Sequence, residues 1–325
     1  AFFEGKVMVD DPRLRFRFNG TVDLQDSIPA FQFNASVQYC NLRAIGLTRD
    51  SLSVTTEVKM DATGRRWDDW QGSMRVNSIA FNRGGAHWEI DSVLLTAAGS
   101  EKNHRITLQS DVAAGKMEGN FRPSHLSASL KKFTANYLPS LFAGDRLPEE
   151  DMDFELTLNV KEHPLFSKVL LPGIESMGGM ELYGRMNTGR NEMSMNLRLP
   201  YVVYKGVGLR EFRLEARGDG KELNTRASLY DCIPSSKIHL PVNLLTAVAA
   251  NDSVQFRLLS GDSLSGTYID LPGWLACAPR GYALHLLPAV AEITYKRWEV
   301  KHNNVFFFSD SSFNEAFVSL ENEEQ

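Results

Sequence analysis

Apolar and polar residues alternate with period two through most of this chain, and that periodicity constrains its fold more than any other feature. Successive side chains of a strand point to opposite faces, so alternation sets one face against apolar material and the other in water. Phe16 and Phe18 alternate with Arg15 and Arg17, Phe31 and Phe33 with Gln32 and Asn34, and Val54, Val58 and Val76 sit in similar runs. Leu156 and Leu158, Met195 and Leu197, Leu214, and Phe256 and Leu258 repeat the pattern. Between the runs stand Ala62-Thr63-Gly64, Asn82-Arg83-Gly84-Gly85, Gly189-Arg190-Asn191 and Gly218-Asp219-Gly220, which suit the tight or left-handed turns of hairpins. The pattern predicts an all-β fold of antiparallel strands linked up and down.

One turn every roughly 10–14 residues makes about twenty strands, too many for a sandwich or barrel that closes once. A weak internal echo favours a sheet that adds strands along an axis. Ile79–Asp91 and Ile293–Lys301 each set a Trp-Glu-aliphatic triplet, at Trp88 and at Trp298, at a strand start after a short turn. Three stretches break the alternation and read as helix. Ser124–Ala143 carries apolar residues at helical spacing. Pro164–Leu171, with Leu165, Phe166 and Val169, opens on a proline and stops at Pro172-Gly173. Pro241–Ala250, with Leu244, Leu245 and Val248, has the same form, and the last two stretches are too apolar to lie on a wet surface.

Chemistry-bearing motifs are scarce. The 7 histidines show no HxH or HExxH spacing, and there is no GxSxG, P-loop or GxGxxG sequence, so neither catalytic nor metal-ligating residues are assigned. The acids at Asp68-Asp69 and Glu149-Glu150-Asp151 read as solvated loop charges, and Arg217-Gly218-Asp219 as a hairpin turn rather than an adhesion string. Cys40, Cys232 and Cys277 are too far apart for a Cys/His ligand set, leaving buried thiols or at most one disulfide. With 40 acidic against 35 basic residues, a nucleic-acid partner is not expected. No apolar run is long enough to span a bilayer as a helix, and the start at Ala1-Phe2-Phe3-Glu4 does not resemble a signal peptide; the chain reads as a piece of a longer protein.

The apolar residues therefore hold the functional information. They fill a core if two sheets face each other, or line a channel if one open sheet curls along its length. Both satisfy the alternation, and on the residues alone the sandwich is slightly favoured.

Three segments, in order, resemble the β-rich region of TamB-like translocation and assembly module proteins of the Bacteroidetes type. Ile106–Phe121 is similar to that family's strand pair, with Ser110-Asp111 and Gly119-Asn120-Phe121 at the matching positions. His163–Glu175 followed by Met180–Asn187 resembles its short helix and glycine-bearing strand, and Trp298-Glu299-Val300 with Asn303-Asn304-Val305 resembles its tryptophan step. The resemblance runs from about residue 5 to 320 and extends to AsmA-like and other repeating β-groove lipid-transfer proteins. It implies an elongated, curled antiparallel sheet (a β-taco) with an apolar interior and a few short inserted helices. Residues 1–325 would form one continuous groove segment, with a subdivision near 138–152.

It further implies a non-enzymatic, periplasmic role in phospholipid transport and outer-membrane protein assembly or secretion. The full-length protein would be anchored in the inner membrane by an N-terminal helix absent here, and would reach an Omp85-type (TamA-like) outer-membrane barrel. No cofactor is implied beyond a bound phospholipid or fatty acyl ligand. On this reading Phe16, Phe18, Phe31, Phe33, Val54, Val58, Val76, Leu156, Leu158, Met195, Leu197, Leu214, Phe256 and Leu258 line the groove. Leu165, Phe166 and Val169, with Leu244, Leu245 and Val248, would form helical plugs in it.

Overall fold

In the computed structural model the chain is predominantly β, built from open antiparallel sheet that does not close into a barrel. Among the described residues it has a single short α-helix. The structure describes all residues except 101, 148–149, 172, 236–237, 263–266, 279–280, 294, 302–303, 310–311, 318–319 and 323–325. Glu149, Pro172, Thr294 and Asn303, included in the readings above, and His302, one of the 7 histidines, lie outside the described residues. The chain divides into two compact units, Ala1–Ser124 with Phe154–Leu165, and His125–Asp153 with Phe166–Gln325. The subdivision expected near 138–152 falls inside the His125–Asp153 segment of the second unit.

Unit 1 contains β1 (Phe2–Asp11), β2 (Leu14–Asp23), β3 (Ala30–Asn41), β4 (Ser53–Thr63), β5 (Gln71–Arg83), β6 (Ala86–Ser100), β7 (Asn103–Ser110), β8 (Ala113–Asn120) and β9 (Asp153–Val160). From β1 to β8 each strand pairs antiparallel with the next. The Lys161 amide donates to the Val112 carbonyl at 2.9 Å, which holds the end of β9 beside β8. Ser78, at φ 51°, is an extra residue in β5 opposite Thr56. It shifts the alternation by one, so that Met74 and Val76 before it and Ile79 and Phe81 after it keep to one face.

Unit 2 contains β10 (Ile174–Met177), β11 (Met180–Asn187), β12 (Glu192–Tyr204), β13 (Val207–Asp219), β14 (Leu223–Ser235), β15 (Ile238–Ala250), β16 (Ser253–Asp262) and β17 (Thr267–Ala278). It continues with β18 (Gly281–Leu286), β19 (Ala289–Ile293), β20 (Lys296–Val300), β21 (Asn304–Ser309), β22 (Ser312–Phe317) and β23 (Leu320–Asn322). β11 through β17 form a consecutive antiparallel run. At β17 the ladder forks. Gly273–Ala278 pairs with β18, which continues to β21 and β22, while Thr267–Ile269 pairs with β19, which continues to β20 and β23. Glu211 in β13 has the same left-handed φ, 51°, while the pairing with β12 and β14 keeps a constant register on either side of it.

The three helical expectations fare differently. Within Ser124–Ala143 the chain forms α1 (Leu126–Ala135), preceded by a 3-10 turn at Pro123–His125 and followed by another at Pro139–Phe142. Helical backbone is present from Pro164, wound as a π-helix over Phe166–Leu170 beside β10. Leu165 is buried at its start, in unit 1, and Phe166 and Val169 are half-buried in unit 2. The helix expected over Pro241–Ala250 is wrong. Leu244, Leu245 and Val248 lie in β15, paired to β14 on one side and β16 on the other. That strand is apolar on both faces, Leu244 and Val248 on one and Leu245 and Ala247 on the other, which erased the period-two signal.

The turn groups fall where expected. Asn82–Gly85, Gly189–Asn191 and Gly218–Gly220 turn the β5–β6, β11–β12 and β13–β14 hairpins. The Asp219 carboxylate accepts the Lys221 and Glu222 amides at 2.9 and 3.0 Å, and these hydrogen bonds hold it below the usual carboxylate range. Both Trp-Glu-aliphatic triplets lie on the second strand of a hairpin, with Trp88 opposite Phe81 and Trp298 opposite Ala291. The cysteines are free thiols. Burial pushes all three up in pKa, and nearby carboxylates, Asp231 for Cys232 and Asp252 for Cys277, add to the effect.

Two stability predictions follow. Gly72 has φ 130°, and a Cβ there would lie 2.2 Å from the Asp61 carbonyl oxygen and 2.5 Å from the Ala62 Cα. Because both atoms are backbone within the β4–β5 ladder, Gly72→Ala is expected to destabilise unit 1 by at least about 2 kcal/mol in denaturant titrations. On β16 and β17, Arg257 donates Nε to Asp270 Oδ1 at 2.7 Å and Nη2 to Oδ2 at 2.5 Å. This bidentate bond lowers the Asp270 pKa, so its stabilisation is present at neutral pH and is lost as pH falls from about 4 through the depressed value. Asp270→Asn should therefore lower the melting temperature at pH 7, with the difference from the parent chain closing in acid.

Candidate functional site

Register turns the alternation into rows that cross each sheet. In unit 1, Val7, Phe18, Ala35, Val58, Val76 and Val93 stand opposite one another in successive strands. Beside that row run Phe33, Met60, Met74, Leu95 and Leu108, and then Phe31, Ala62, Gly72, Ala97 and Ile106. Phe16 stands opposite Val37, and Val54 opposite both Cys40 and Phe81. Phe3, Phe18 and Phe33 form a diagonal aromatic ladder with centroids 5.8 and 5.0 Å apart. A Cβ on Gly115 would lie 3.2 Å from Leu158 Cδ1 and 3.9 Å from Leu108 Cβ. Leu158, and by alternation Leu156, thus share the apolar face.

In unit 2 the corresponding row is Leu182, Leu197, Leu214, Ala227, Leu245, Leu258 and Leu271, one residue from each of seven successive strands. The next row holds Met195, Ala216, Thr225, Ala247, Phe256 and Gly273. Every residue expected from alternation to line an apolar surface therefore falls on the apolar face of its own unit. Leu245 joins that face as a strand residue, while Leu244 and Val248 point to the opposite one.

These faces are only partly covered. The row residues are mostly half-buried, and fully buried apolar side chains are few for a chain of this size. The accessible surface is 19729 Å², where two compact bodies of the units' sizes would together expose about 16,000 Å². In each unit a cap covers one end of the apolar face.

In unit 1 the cap is the β4–β5 connection. Trp70, 6% exposed, packs on Ala62 and Ala97, with Met60, Met74, Leu95 and Ile106 around them. Trp67 meets Trp70 edge-on at 6.1 Å. A cavity of about 240 Å³ lies there, lined by Phe31, Met60, Met74, Trp67 and Trp70 with the Gly64–Arg66 turn.

In unit 2 the cap is α1 with the turn after it. Phe133 and Tyr137, each 1% exposed, press onto Gly218, where a Cβ would lie 2.7 and 2.5 Å from their ring atoms. Tyr137 Oη donates to the Asn191 carbonyl at 2.9 Å and accepts the Gly220 amide at 3.2 Å. Its own carbonyl accepts the Asp252 amide at 3.0 Å, and the Asp252 carboxylate accepts both the amide and the hydroxyl of Ser140, at 2.7 and 3.0 Å. The segment is thereby tied to the turns of three hairpins, β11–β12, β13–β14 and β15–β16. Burial raises the Tyr137 pKa, so the phenol stays neutral and keeps its proton to donate.

The caps were not foreseen from sequence. Their signal is the small residue at an apolar-face position, Ala62, Gly72 and Ala97 under Trp70 and Gly218 under Phe133, where alternation alone would put a large side chain. Among the described residues no group of three or more His, Cys, Asp or Glu side chains gathers to hold a metal ion. No helix among them is long and apolar enough to cross a membrane. No protein-family model, curated protein or solved structure matches this chain.

Proposed function

We propose that each unit shelters lipid acyl chains on its apolar sheet face, as part of a non-enzymatic, TamB-like lipid carrier of the bacterial periplasm. The observation that carries this reading is the set of unbroken apolar rows left half-exposed beyond a cap. Water-facing apolar surface of this extent is costly in a soluble protein and marks a site that another apolar body fills. At about 4.8 Å per strand, a row across seven strands runs for roughly 29 Å, about twice the length of one acyl chain in a bilayer leaflet. Aliphatic and methionine side chains give such a surface no directional bonds, which suits an acyl chain that must slide. The resemblance noted from sequence supports a phospholipid as the occupant, and an Omp85-type barrel and the inner membrane as the full-length protein's partners.

Native mass spectrometry of the purified chain tests this. Added masses of phospholipid or fatty acid are expected, and they should be displaced by an excess of a fluorescent fatty acid. A chain that carries no lipid and does not bind the fatty acid would end the proposal.

One observation favours a second reading, a scaffold that passes nascent strands to an outer-membrane barrel. Among the described residues β1 pairs on one side only, with β2, and it exposes Phe2, Phe3 and Met8. A strand paired on one side only is a template for strand addition. Crosslinks from β1 to a barrel strand in material free of lipid would support it over the carrier.

A further inference from the structure

We propose that the polar face of unit 1, on the opposite side of the sheet from the apolar rows, carries a binding site for a phosphorylated polyol. Two polar rows cross the first strands there, one through Arg17, Glu57 and Asn77 and the other through Lys6, Asn19, Asn34 and Lys59. With Met8 and Ser36 of the first row, and Val7, Phe18, Ala35 and Val58 of the row between, they line a concave cavity of about 670 Å³. That is the size of a small-molecule site.

The polar side chains of this cavity are uncommitted. Among the described residues, none of Lys6, Arg17, Lys59, Asn19, Asn34 and Asn77 forms a side-chain hydrogen bond or ion pair, and neither does Glu57. Other charges on the polar faces do have partners. Arg105 and Lys116 meet Glu118 at 2.9 and 2.8 Å, and Arg257 is held by Asp270. The contrast is clearest for like charges placed directly opposite each other, which repel. Arg198 faces Arg213, and Glu211 lies 3.6 Å from both guanidinium groups. Lys59 faces Arg75, and neither has an acid within ion-pair distance.

An oxyanion would supply the missing counter-charge. The fork of Arg17 suits two phosphate oxygens, and Lys6 and Lys59 add point charges on either side. The asparagine amides donate to and accept from hydroxyl groups, and the Glu57 carboxylate accepts a hydroxyl proton. Glu57 also repels a ligand that is all anion, so the cavity fits a phosphate ester of a polyol better than phosphate alone. Such an ester comes either as a free metabolite or as a phospholipid headgroup.

Calorimetric titration of the chain with glycerol 1-phosphate, inorganic phosphate, and phosphatidylglycerol vesicles tests this, with phosphatidylcholine vesicles as a control. Saturable binding of glycerol phosphate is expected, weakened at least tenfold in Arg17→Gln and in Lys59→Met. Both residues are exposed, and circular dichroism checks that the fold is kept. Glu57→Gln should narrow the preference for glycerol phosphate over inorganic phosphate. Tight binding of glycerol phosphate assigns the free ester, while binding of the anionic vesicles that is lost in both variants assigns the headgroup. Equal affinity for inorganic phosphate overturns the polyol, and the absence of saturable binding, or binding that survives both substitutions, overturns the site.

Discussion

Truncating Phe133 to alanine is expected to destabilise unit 2 by about 3–5 kcal/mol. The ring is 1% exposed, stands edge-on to Tyr137 with centroids 5.2 Å apart, and rests on Gly218. α1 has only 10 residues and no side-chain hydrogen bond at its N-terminal cap, so it is too short to persist without its packing. Removing the ring leaves a cavity between helix and sheet that the β13–β14 hairpin, tied by its ladder, closes poorly. Tyr137→Phe provides the graded comparison. It keeps the ring and loses the hydroxyl that joins the Asn191 carbonyl to the Gly220 amide, for an expected cost of about 1 kcal/mol. Gly218→Val approaches the same contact from the sheet side and should displace the helix. Denaturant unfolding followed by tyrosine fluorescence measures all three. A Phe133→Ala loss below about 1 kcal/mol would show that the cap is not anchored by this ring.

The strands were legible in the sequence because alternation and turn residues are local signals. Leu14–Phe18, Phe154–Val160 and Met193–Leu199 each state their inward face without reference to anything else in the chain. Hairpin turns such as Gly189-Arg190-Asn191 then fix which strands meet. What alternation hides is any place where the face shifts or doubles. Ser78 and Glu211 adopt left-handed backbone inside strands, which no propensity favours in a serine or a glutamate, and at Ser78 the extra residue reverses the parity of those after it. β15 is apolar on both faces, so its period disappeared and Pro241–Ala250 looked like a buried helix. The caps were hidden for another reason. Tyr137 is bound to Asn191, Gly220 and Asp252, partners that come together only after three hairpins have formed. The polar cavity of unit 1 is invisible for the same reason, since Lys59 and Arg75 become neighbours only through register.

Leu197→Arg and Leu156→Arg are expected to remove bound lipid from their respective units while leaving the fold in place. Leu197 stands between Leu182 and Leu214, second of the seven residues in its row and half-buried, and Leu156 occupies the equivalent face of β9. A guanidinium there keeps its own hydration, because the face is open, so the strand tolerates it far better than a closed core would. The acyl chain does not. Each methylene it withdraws from water is worth about 0.8 kcal/mol, and a charge that keeps three or four of them wet costs roughly 3 kcal/mol, about a hundredfold in affinity. Arg198→Gln, on the next residue and the opposite face, should bind as the parent chain does. Leu156 and Leu197 belong to different units, which sharpens the test. Each single substitution should lower the lipid stoichiometry seen by native mass spectrometry by one unit's share, and the double substitution should abolish it. Undiminished lipid in a folded double variant would leave the rows without a role in binding. Loss of all lipid from either single variant would instead show that the two faces are loaded as one.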